Sequence, residues 1–116
     1  MDIRSYKDLV VWQKGIDLSV KIYELTKSFP QSELYGLTTQ MRRASVSGPS
    51  NIAEGYCQHS KKNYLRFLYI ALESVSELET QTIVAKRIGL IPECQEIDDL
   101  MDEIFRMLLT LIKKLK

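Results

Sequence analysis

Hydrophobic residues recur every three or four positions along four stretches of the chain, and this spacing predicts α-helices. The stretches are residues 7–28, 34–57, 60–88 and 92–115. Pro30, Gly89 and Pro92 fall at boundaries between stretches, and no Asn-Gly or Asp-Gly turn separates alternating runs. We therefore predict an all-α, antiparallel up-down four-helix bundle that forms a single domain over residues 1–116. The link through Gly89 is short, which makes the third and fourth helices antiparallel neighbours.

The first stretch carries apolar residues on two nearly opposite faces at 100° per residue. One face has Leu9, Trp12, Ile16, Val20 and Tyr23, and the other has Val11, Leu18, Ile22, Leu25 and Phe29. A helix inside a small monomer needs one apolar face, so a second face predicts contact with another chain. We expect a homo-oligomer interface formed by Val11, Leu18, Ile22 and Leu25. The alternative is that this face meets a third helix of the same bundle.

The second stretch keeps helical spacing although Pro49 stands in its middle. A proline inside a helix removes one backbone hydrogen bond and clashes with the carbonyl four residues earlier, here Ser45, at a cost of about 3 kcal/mol unless the helix bends. The sequence therefore predicts a kink at Pro49, which Gly48 makes easier because it adds no side chain. The alternative is that Pro49 separates two short helices.

A polar stripe follows one side of this stretch if the helix continues through the proline. Its members are Gln40, Arg43, Ser47, Asn51, Glu54 and Gln58. We interpret the stripe as hydrogen bonds between helices or subunits that fix their register, because a buried Arg43 or Glu54 needs partners. A hydrogen-bonding surface for a partner and a plain solvated face are the alternatives.

The third and fourth stretches carry recognisable helix ends. Ser60 is a good N-cap for the third helix, and Pro92 suits the first helical position of the fourth. Acidic residues crowd the start of the fourth stretch, while Lys113, Lys114 and Lys116 crowd its end. This distribution matches the helix dipole at both ends.

Composition and charge narrow the function classes. The 45% of hydrophobic and 27% of charged residues are typical of one globular domain. The formal net charge is +1, so any nucleic-acid role depends on a local patch. The apolar runs are far too short to cross a bilayer, and we expect a cytoplasmic protein with no membrane partner.

The densest set of basic and aromatic residues predicts a nucleic-acid site around the turn between the second and third helices. Its cations are Arg42, Arg43, Lys61, Lys62 and Arg66, accompanied by Tyr56 and Tyr64. Cyclic symmetry would multiply this set into a basic rim that binds RNA or DNA phosphates, chiefly without base specificity. The alternative is a solvated surface in which Arg42 or Arg43 pairs with acids of the third helix.

No catalytic residue, metal site or cofactor is predicted. Cys57, Cys94 and His59 do not have the spacing of a zinc site, and the glutamates of the third helix lack the Glu-x-x-His partners of di-metal bundles. Ser47 or Ser50 could form a catalytic triad on paper with His59 and Glu54, but nothing in the sequence resembles a nucleophile elbow.

Several segments closely resemble one known family. They are Tyr35-Gly36-Leu37, Gln40-Met41-Arg42-Arg43-Ala44-Ser45, Val46-Ser47-Gly48-Pro49-Ser50-Asn51-Ile52-Ala53-Glu54-Gly55 and Leu68-Tyr69-Ile70-Ala71-Leu72-Glu73-Ser74. The family is that of the four-helix-bundle proteins encoded by intervening sequences inside bacterial 23S ribosomal RNA genes, and the resemblance covers almost the whole chain. One departure is Gly48, where the family usually has a large aliphatic residue.

The resemblance implies a ring-shaped homopentamer without known enzymatic activity. The chain is also similar to the accessory variability protein of diversity-generating retroelements, which binds nucleic acid and partners a reverse transcriptase. We therefore expect a non-enzymatic scaffold or interaction protein that binds itself and RNA or DNA. One alternative is a module that binds a reverse transcriptase or another protein. The other is a helix-turn-helix DNA-binding regulator, although Gly55 falls too early for the turn glycine of that motif.

Overall fold

Four α-helices and no β-strand make up residues 5–116, the part of the chain that the computed structural model describes. Helix α1 spans Val10–Thr26, α2 spans Thr39–Tyr56, α3 spans Lys61–Arg87 and α4 spans Gln95–Leu115. Helix α1 packs mainly on α2 and α4, and α3 packs mainly on the same two helices. The predicted all-α class with four helices is confirmed. No helix within this range is long and apolar enough to cross a membrane.

The ends of α3 follow from local hydrogen bonds. Ser60 is the N-cap, as predicted, and its hydroxyl accepts a hydrogen bond from the Asn63 amide at 3.3 Å. After the last turn, Gly89 adopts a φ of 82°, a left-handed conformation that glycine accepts without strain. The Leu90 amide then donates to the Ala85 carbonyl at 2.9 Å, which closes a Schellman motif.

Three helices begin later than the sequence predicts. A separate 3₁₀ turn at Tyr6–Asp8 precedes α1, and Leu9 between them has an extended backbone (φ −72°, ψ 122°). An irregular turn, Leu34–Thr38, precedes α2. The prediction of Pro92 as the first helical residue of α4 is wrong, because that helix begins at Gln95.

Helix α2 continues through Pro49, so the alternative of two separate helices is wrong. The Ser45 carbonyl, which a proline four residues later leaves without its helical donor, accepts a hydrogen bond from the Ser19 hydroxyl of α1 at 2.6 Å. Gly15, one turn before Ser19, gives room to the proline ring, because a Cβ there would lie 3.2 Å from Pro49 Cβ. The kink itself stays a prediction. Beside the proline, a Cβ added at Gly48 would meet no atom within 4 Å.

The face of α1 that we predicted to meet another chain lies in the core of the protomer. Val11, Leu18 and Ile22 are only 4%, 3% and 0% exposed, and the half-buried Leu25 packs against the same core. The assignment of Val11, Leu18 and Ile22 to a subunit interface is therefore wrong, and the alternative of contact within the bundle is correct for them. For the partly exposed Leu25 the assignment stays a prediction. Two opposite apolar faces have the same periodicity, so their spacing alone does not distinguish the inner face from the outer one.

Contacts between neighbouring helices join residues in opposite sequence order. Gly15, Ser19 and Thr26 of α1 meet Pro49, Ser45 and Arg42 of α2, respectively. Lys14 and Lys21 of α1 pair with Glu103 and Glu96 of α4. Lys86 and Tyr69 of α3 meet Asp98 and Lys116 of α4.

Candidate nucleic-acid interface

The five cations that we predicted to form one patch do not lie together. Arg42 is near the start of α2, where its Nε donates to Thr26 Oγ1 at 2.8 Å and its guanidinium lies 4.7 Å from the centroid of the Tyr23 ring. About four turns of helix, roughly 20 Å along the axis, separate it from Tyr56 at the end of α2. Lys61 and the other cations of α3 come after that end. The prediction of a single patch is therefore wrong for Arg42 and for its neighbour Arg43.

Arg42 also differs from the alternative prediction, because its partners belong to α1 rather than to the acids of the third helix. Arg43 is exposed and forms no ion pair with the residues that the structure describes. It lines a polar groove of about 550 Å³ between α2 and α3. The other polar residues of this groove are Gln40, Ser47, Ser74, Glu77 and Gln81.

The polar stripe of α2 is divided between helix contacts and solvent. The hydroxyl oxygens of Ser47 and Ser74 are 2.8 Å apart, which joins α2 to α3. Asn51 Nδ2 donates to the Ser47 carbonyl at 2.8 Å and to its hydroxyl at 3.0 Å. Gln40, Arg43, Glu54 and Gln58 are exposed. The inter-helix interpretation therefore describes Ser47, which Asn51 supports from within α2, whereas the other four residues face solvent.

The two tyrosines that we expected beside the cations pack against each other. The Tyr56 and Tyr64 rings meet edge to face with their centroids 6.1 Å apart, and burial raises the pKa of Tyr64. The helices approach closely here, since a Cβ on Gly55 would lie 2.7 Å from Phe67 Cβ. These rings therefore hold the end of α2 against α3.

A basic surface forms where the first turns of α3 meet the last turn of α4. Lys62, Arg66 and Tyr69 recur at a spacing of four and then three residues, so they share one face of α3. Lys116 Nζ lies 5.4 Å from the centroid of the Tyr69 ring, which brings the end of α4 onto this face. Lys113 precedes Lys116 by about one helical turn. We call these five residues the α3–α4 basic surface.

In the part of the chain that the structure describes, the cations of the α3–α4 basic surface are exposed and form no ion pair. Within residues 5–116, the ion pairs involve other cations, namely Lys14, Lys21, Lys86 and Arg106. The Arg66 guanidinium lies 4.8 Å from the centroid of the Phe67 ring, a contact that leaves its charge unneutralised. Tyr69 is 38% exposed. The surface therefore presents four positive charges around one accessible aromatic ring.

Sequence reasoning found Lys62 and Arg66 of this surface but missed Tyr69, Lys113 and Lys116. The sequence analysis interpreted Lys113 and Lys116 only as cations that stabilise the C-terminal end of the fourth helix through its dipole. The short link through Gly89 is the signal that could have predicted their proximity to the start of the third helix. Antiparallel neighbours bring the start of one helix next to the end of the other.

A larger groove of about 920 Å³ runs between α1 and α4. Its apolar wall includes Leu9, Leu100 and Leu111. Five of the eight charged side chains along it are paired, in the contacts Lys21–Glu96, Asp102–Arg106 and Glu103–Lys14. Its charged lining holds five acidic and three basic residues, so it is less suited to phosphates than the α3–α4 basic surface is.

Two apolar patches are exposed on different helices. The α1 patch consists of Ile16, Val20 and Tyr23, and the α3 patch consists of Ile83, Val84 and Ile88. These side chains are 38% to 57% exposed. Helices α1 and α3 are each packed between α2 and α4, so the patches lie on different sides of the bundle.

Metal ligands do not cluster in the described part of the chain. No group of three or more His, Cys, Asp or Glu side chains there could hold a metal ion. Cys57 is exposed and Cys94 half-buried, and both are free thiols. His59 lies in the turn after α2 with a positive φ of 52°.

The comparisons with known proteins agree on one family. The sequence profile described as 23S rRNA-intervening sequence protein matches residues 7–110. The fold is similar to the crystal structure of a protein of unknown function from the S23 ribosomal protein family of Bacteroides thetaiotaomicron, with a TM-score of 0.83 and 28% identity. That similarity covers 92% of this chain and 98% of the other. No curated protein is significantly similar to the chain.

Proposed function

Because the chain belongs to the 23S rRNA-intervening sequence protein family, we propose that it is a non-enzymatic, homo-oligomeric bundle that binds RNA or DNA phosphates through the α3–α4 basic surface. The observation that carries the nucleic-acid part is the set of four exposed cations around Tyr69, none of which forms an ion pair with residues 5–116. Lysine and arginine contacts to phosphates release counterions and supply affinity that does not depend on sequence. A protein of net charge +1 can use this effect only where its cations are concentrated.

The helix arrangement in this proposal is an antiparallel, up-down bundle. It is supported by the opposite sequence order of the contacts between neighbouring helices, such as Lys86 with Asp98 and Tyr69 with Lys116. In such a bundle the start of α3 and the end of α4 share one end of the molecule, which therefore carries the α3–α4 basic surface. The acidic first turns of α4 lie at the other end. A nearly neutral protein thus acquires one basic end.

The oligomer in this proposal is a ring, with five subunits as the family resemblance implies. Exposed apolar patches mark protein–protein contacts, and this chain has one on α1 and another on α3. A ring requires two different complementary surfaces on each subunit, whereas a two-fold dimer requires one. Each ring would carry several copies of the α3–α4 basic surface, and linked copies bind a polymer more tightly than one copy does.

Charge reversal tests the nucleic-acid part. The Lys62→Glu, Lys113→Glu double variant should bind a short fluorescent RNA more weakly than the wild type, because it removes two phosphate contacts and adds two repulsive charges. The dependence of log K on log salt should flatten by about 0.7 for each phosphate of a single strand that is no longer bound. Fluorescence anisotropy over a range of NaCl concentrations measures both quantities.

The matched control is the Lys27→Glu, Arg87→Glu double variant, which makes the same charge change at exposed positions outside the α3–α4 basic surface. It should keep most of the affinity and the wild-type salt slope. Equal losses in the two variants would mean that net charge, not this surface, determines binding. Unchanged affinity in the Lys62→Glu, Lys113→Glu variant would exclude the surface as the binding site.

A further inference from the structure

We propose that the α3–α4 basic surface takes a single-stranded nucleic acid and that Tyr69 stacks on one of its bases. This inference rests on the proposed function, since it assumes that the same surface binds phosphates. It goes further by naming the form of the nucleic acid and the side chain that selects it.

Tyr69 is 38% exposed and lies outside the hydrophobic core of residues 5–116. Tyr6 and Tyr56, by contrast, each pack edge to face on another aromatic ring, that of Trp12 and that of Tyr64 respectively. The Tyr69 ring instead meets the ammonium of Lys116. The ring is therefore available to a ligand.

The surroundings of Tyr69 are those of a single-strand site. Proteins that bind single strands without sequence preference combine cations that follow the backbone with aromatic rings on which bases stack. Lys62 and Arg66 precede Tyr69 on the same face of α3, and the ammonium of Lys116, at the end of α4, lies 5.4 Å from the centroid of its ring. A base stacked on the ring thus has phosphate-binding cations of α3 and of the end of α4 nearby.

A nucleic-acid duplex can contact the cations of this surface but cannot stack on Tyr69. Base faces inside a duplex are covered by their neighbours, so an exposed ring on a protein surface reaches them only in unpaired segments. A duplex would contact the four cations but not Tyr69. The ring therefore adds affinity for the single strand alone, and it makes this surface selective.

Lys116 is placed to change partners when a strand binds. In the free protein its Nζ lies 5.4 Å from the ring centroid, near the outer limit of about 6 Å for a cation–π contact. A base that takes the ring face displaces this ammonium toward the adjacent phosphate. The stronger charge-assisted contact replaces the weaker one.

The test compares oligouridylate, oligothymidylate and a DNA duplex of equal length with Tyr69→Leu, Tyr69→Phe and wild-type protein. Tyr69→Leu should lower the affinity for both single strands by roughly five- to a hundredfold, the loss expected for one stacked base. It should leave the duplex affinity and the salt slope unchanged, because no charge is altered. Tyr69→Phe should keep the single-strand affinity, since stacking needs the ring and not the hydroxyl.

Tyr35→Leu is the matched control, because Tyr35 is 90% exposed but lies in the turn before α2, outside the α3–α4 basic surface. It should bind all three ligands as the wild type does. Urea unfolding of each variant separates a loss of stability from a loss of stacking. Irradiation of a bound 5-iodouracil oligonucleotide gives an independent readout, and the adduct should fall on the peptide that contains Tyr69.

The outcomes distinguish this inference from the proposed function. Single-strand affinity that is unchanged in Tyr69→Leu, or a duplex that binds as tightly as the single strands, would overturn the stacking role and leave phosphate binding intact. Failure of the wild type to bind any of the three ligands would overturn both. Equal affinities for oligouridylate and oligothymidylate would assign the site to single strands in general, and tighter binding of oligouridylate would assign it to RNA.

Discussion

Ser19 and Gly15 explain how Pro49 is accommodated inside α2. They lie one turn apart on α1 and face the proline from the neighbouring helix. Gly15 leaves space for the proline ring. Because proline has no N–H to donate to the Ser45 carbonyl, the Ser19 hydroxyl donates to that carbonyl instead. A buried carbonyl without a donor is costly, so this single hydroxyl stabilises the α1–α2 contact.

Ser19→Ala should lower the free energy of unfolding by about 1–3 kcal/mol, the cost of a buried acceptor left without a partner. The same change in a Pro49→Ala background should cost less, because the alanine restores a backbone amide that can donate to the Ser45 carbonyl. Urea unfolding of the wild type, both single variants and the double variant measures this coupling.

Ser28→Ala is the control for this cycle, since Ser28 is exposed and its hydroxyl donates to the Leu25 carbonyl only three residues earlier. Its removal should change stability very little. Equal costs of Ser19→Ala in the two backgrounds would contradict the explanation. They would assign the effect to the other hydrogen bond of Ser19, to the Gly15 carbonyl at 3.2 Å.

The α3–α4 contact brings like charges close together as well as opposite ones. Lys86 of α3 pairs with Asp98 of α4 at 2.5 Å, which favours the contact. The pKa of Glu79 on α3 is raised above its ordinary value. Burial of the carboxyl is the main cause, and the negative charges of Asp102 and Asp98 on α4 add to it. The ionised form of Glu79 is therefore disfavoured in the folded protein.

The raised pKa of Glu79 determines how the stability of the fold changes with pH. A carboxyl whose pKa is raised by folding stabilises the fold below its unfolded pKa, and this stabilisation is lost as the pH rises through the folded pKa. Glu79→Gln should therefore raise the free energy of unfolding at neutral pH and change it much less well below pH 4.5, the ordinary pKa of the group. Urea denaturation at the two pH values measures the difference.

Glu73→Gln gives the matched change at an exposed position of the same helix. It should have a smaller effect on stability at neutral pH than Glu79→Gln. A gain in the Glu79→Gln variant that is equal at both pH values would attribute the gain to helix propensity, because propensity does not depend on the ionisation of this carboxyl.

Helices were the most predictable elements of this chain, because their signals are local. The spacing of apolar residues located all four, and the hydroxyl of Ser60 fixed the start of α3. The inner face of α1 was not predictable, since Val11 and Ile16 lie on opposite faces of equal periodicity. Which face is buried depends on the neighbouring helices, and a single helix sequence does not contain that information.

Residues far apart in sequence decide the candidate site at the scale of the whole molecule. Arg43 and Lys61 are near each other in the sequence, but the length of α2 separates them. Tyr69 and Lys116 are distant in sequence, yet the Lys116 ammonium lies 5.4 Å from the centroid of the Tyr69 ring. A basic site that includes the first cations of α3 was therefore predictable. Its aromatic residue and the cations at the end of α4 were not, because they depend on how the helices pack.

The assembly is testable through the two apolar patches. In a ring, the α1 patch of one subunit meets the α3 patch of the next, so each subunit uses both. Val20→Glu and Ile88→Glu each introduce a charge into one of these patches, and burying it in the contact is costly. Each variant alone should sediment as a monomer under conditions in which the wild type forms rings.

Mixing the two variants gives the decisive measurement. The intact α3 patch of Val20→Glu can still meet the intact α1 patch of Ile88→Glu, so an equimolar mixture should form one-to-one dimers that cannot grow further. A two-fold contact through a single patch would behave differently, because one variant would keep the wild-type size and mixing would create no new species. Leu109→Glu, a 45% exposed position on α4 outside both patches, should leave the ring intact. A wild-type monomer in the same experiment would contradict the ring, but not binding of nucleic acid by one protomer.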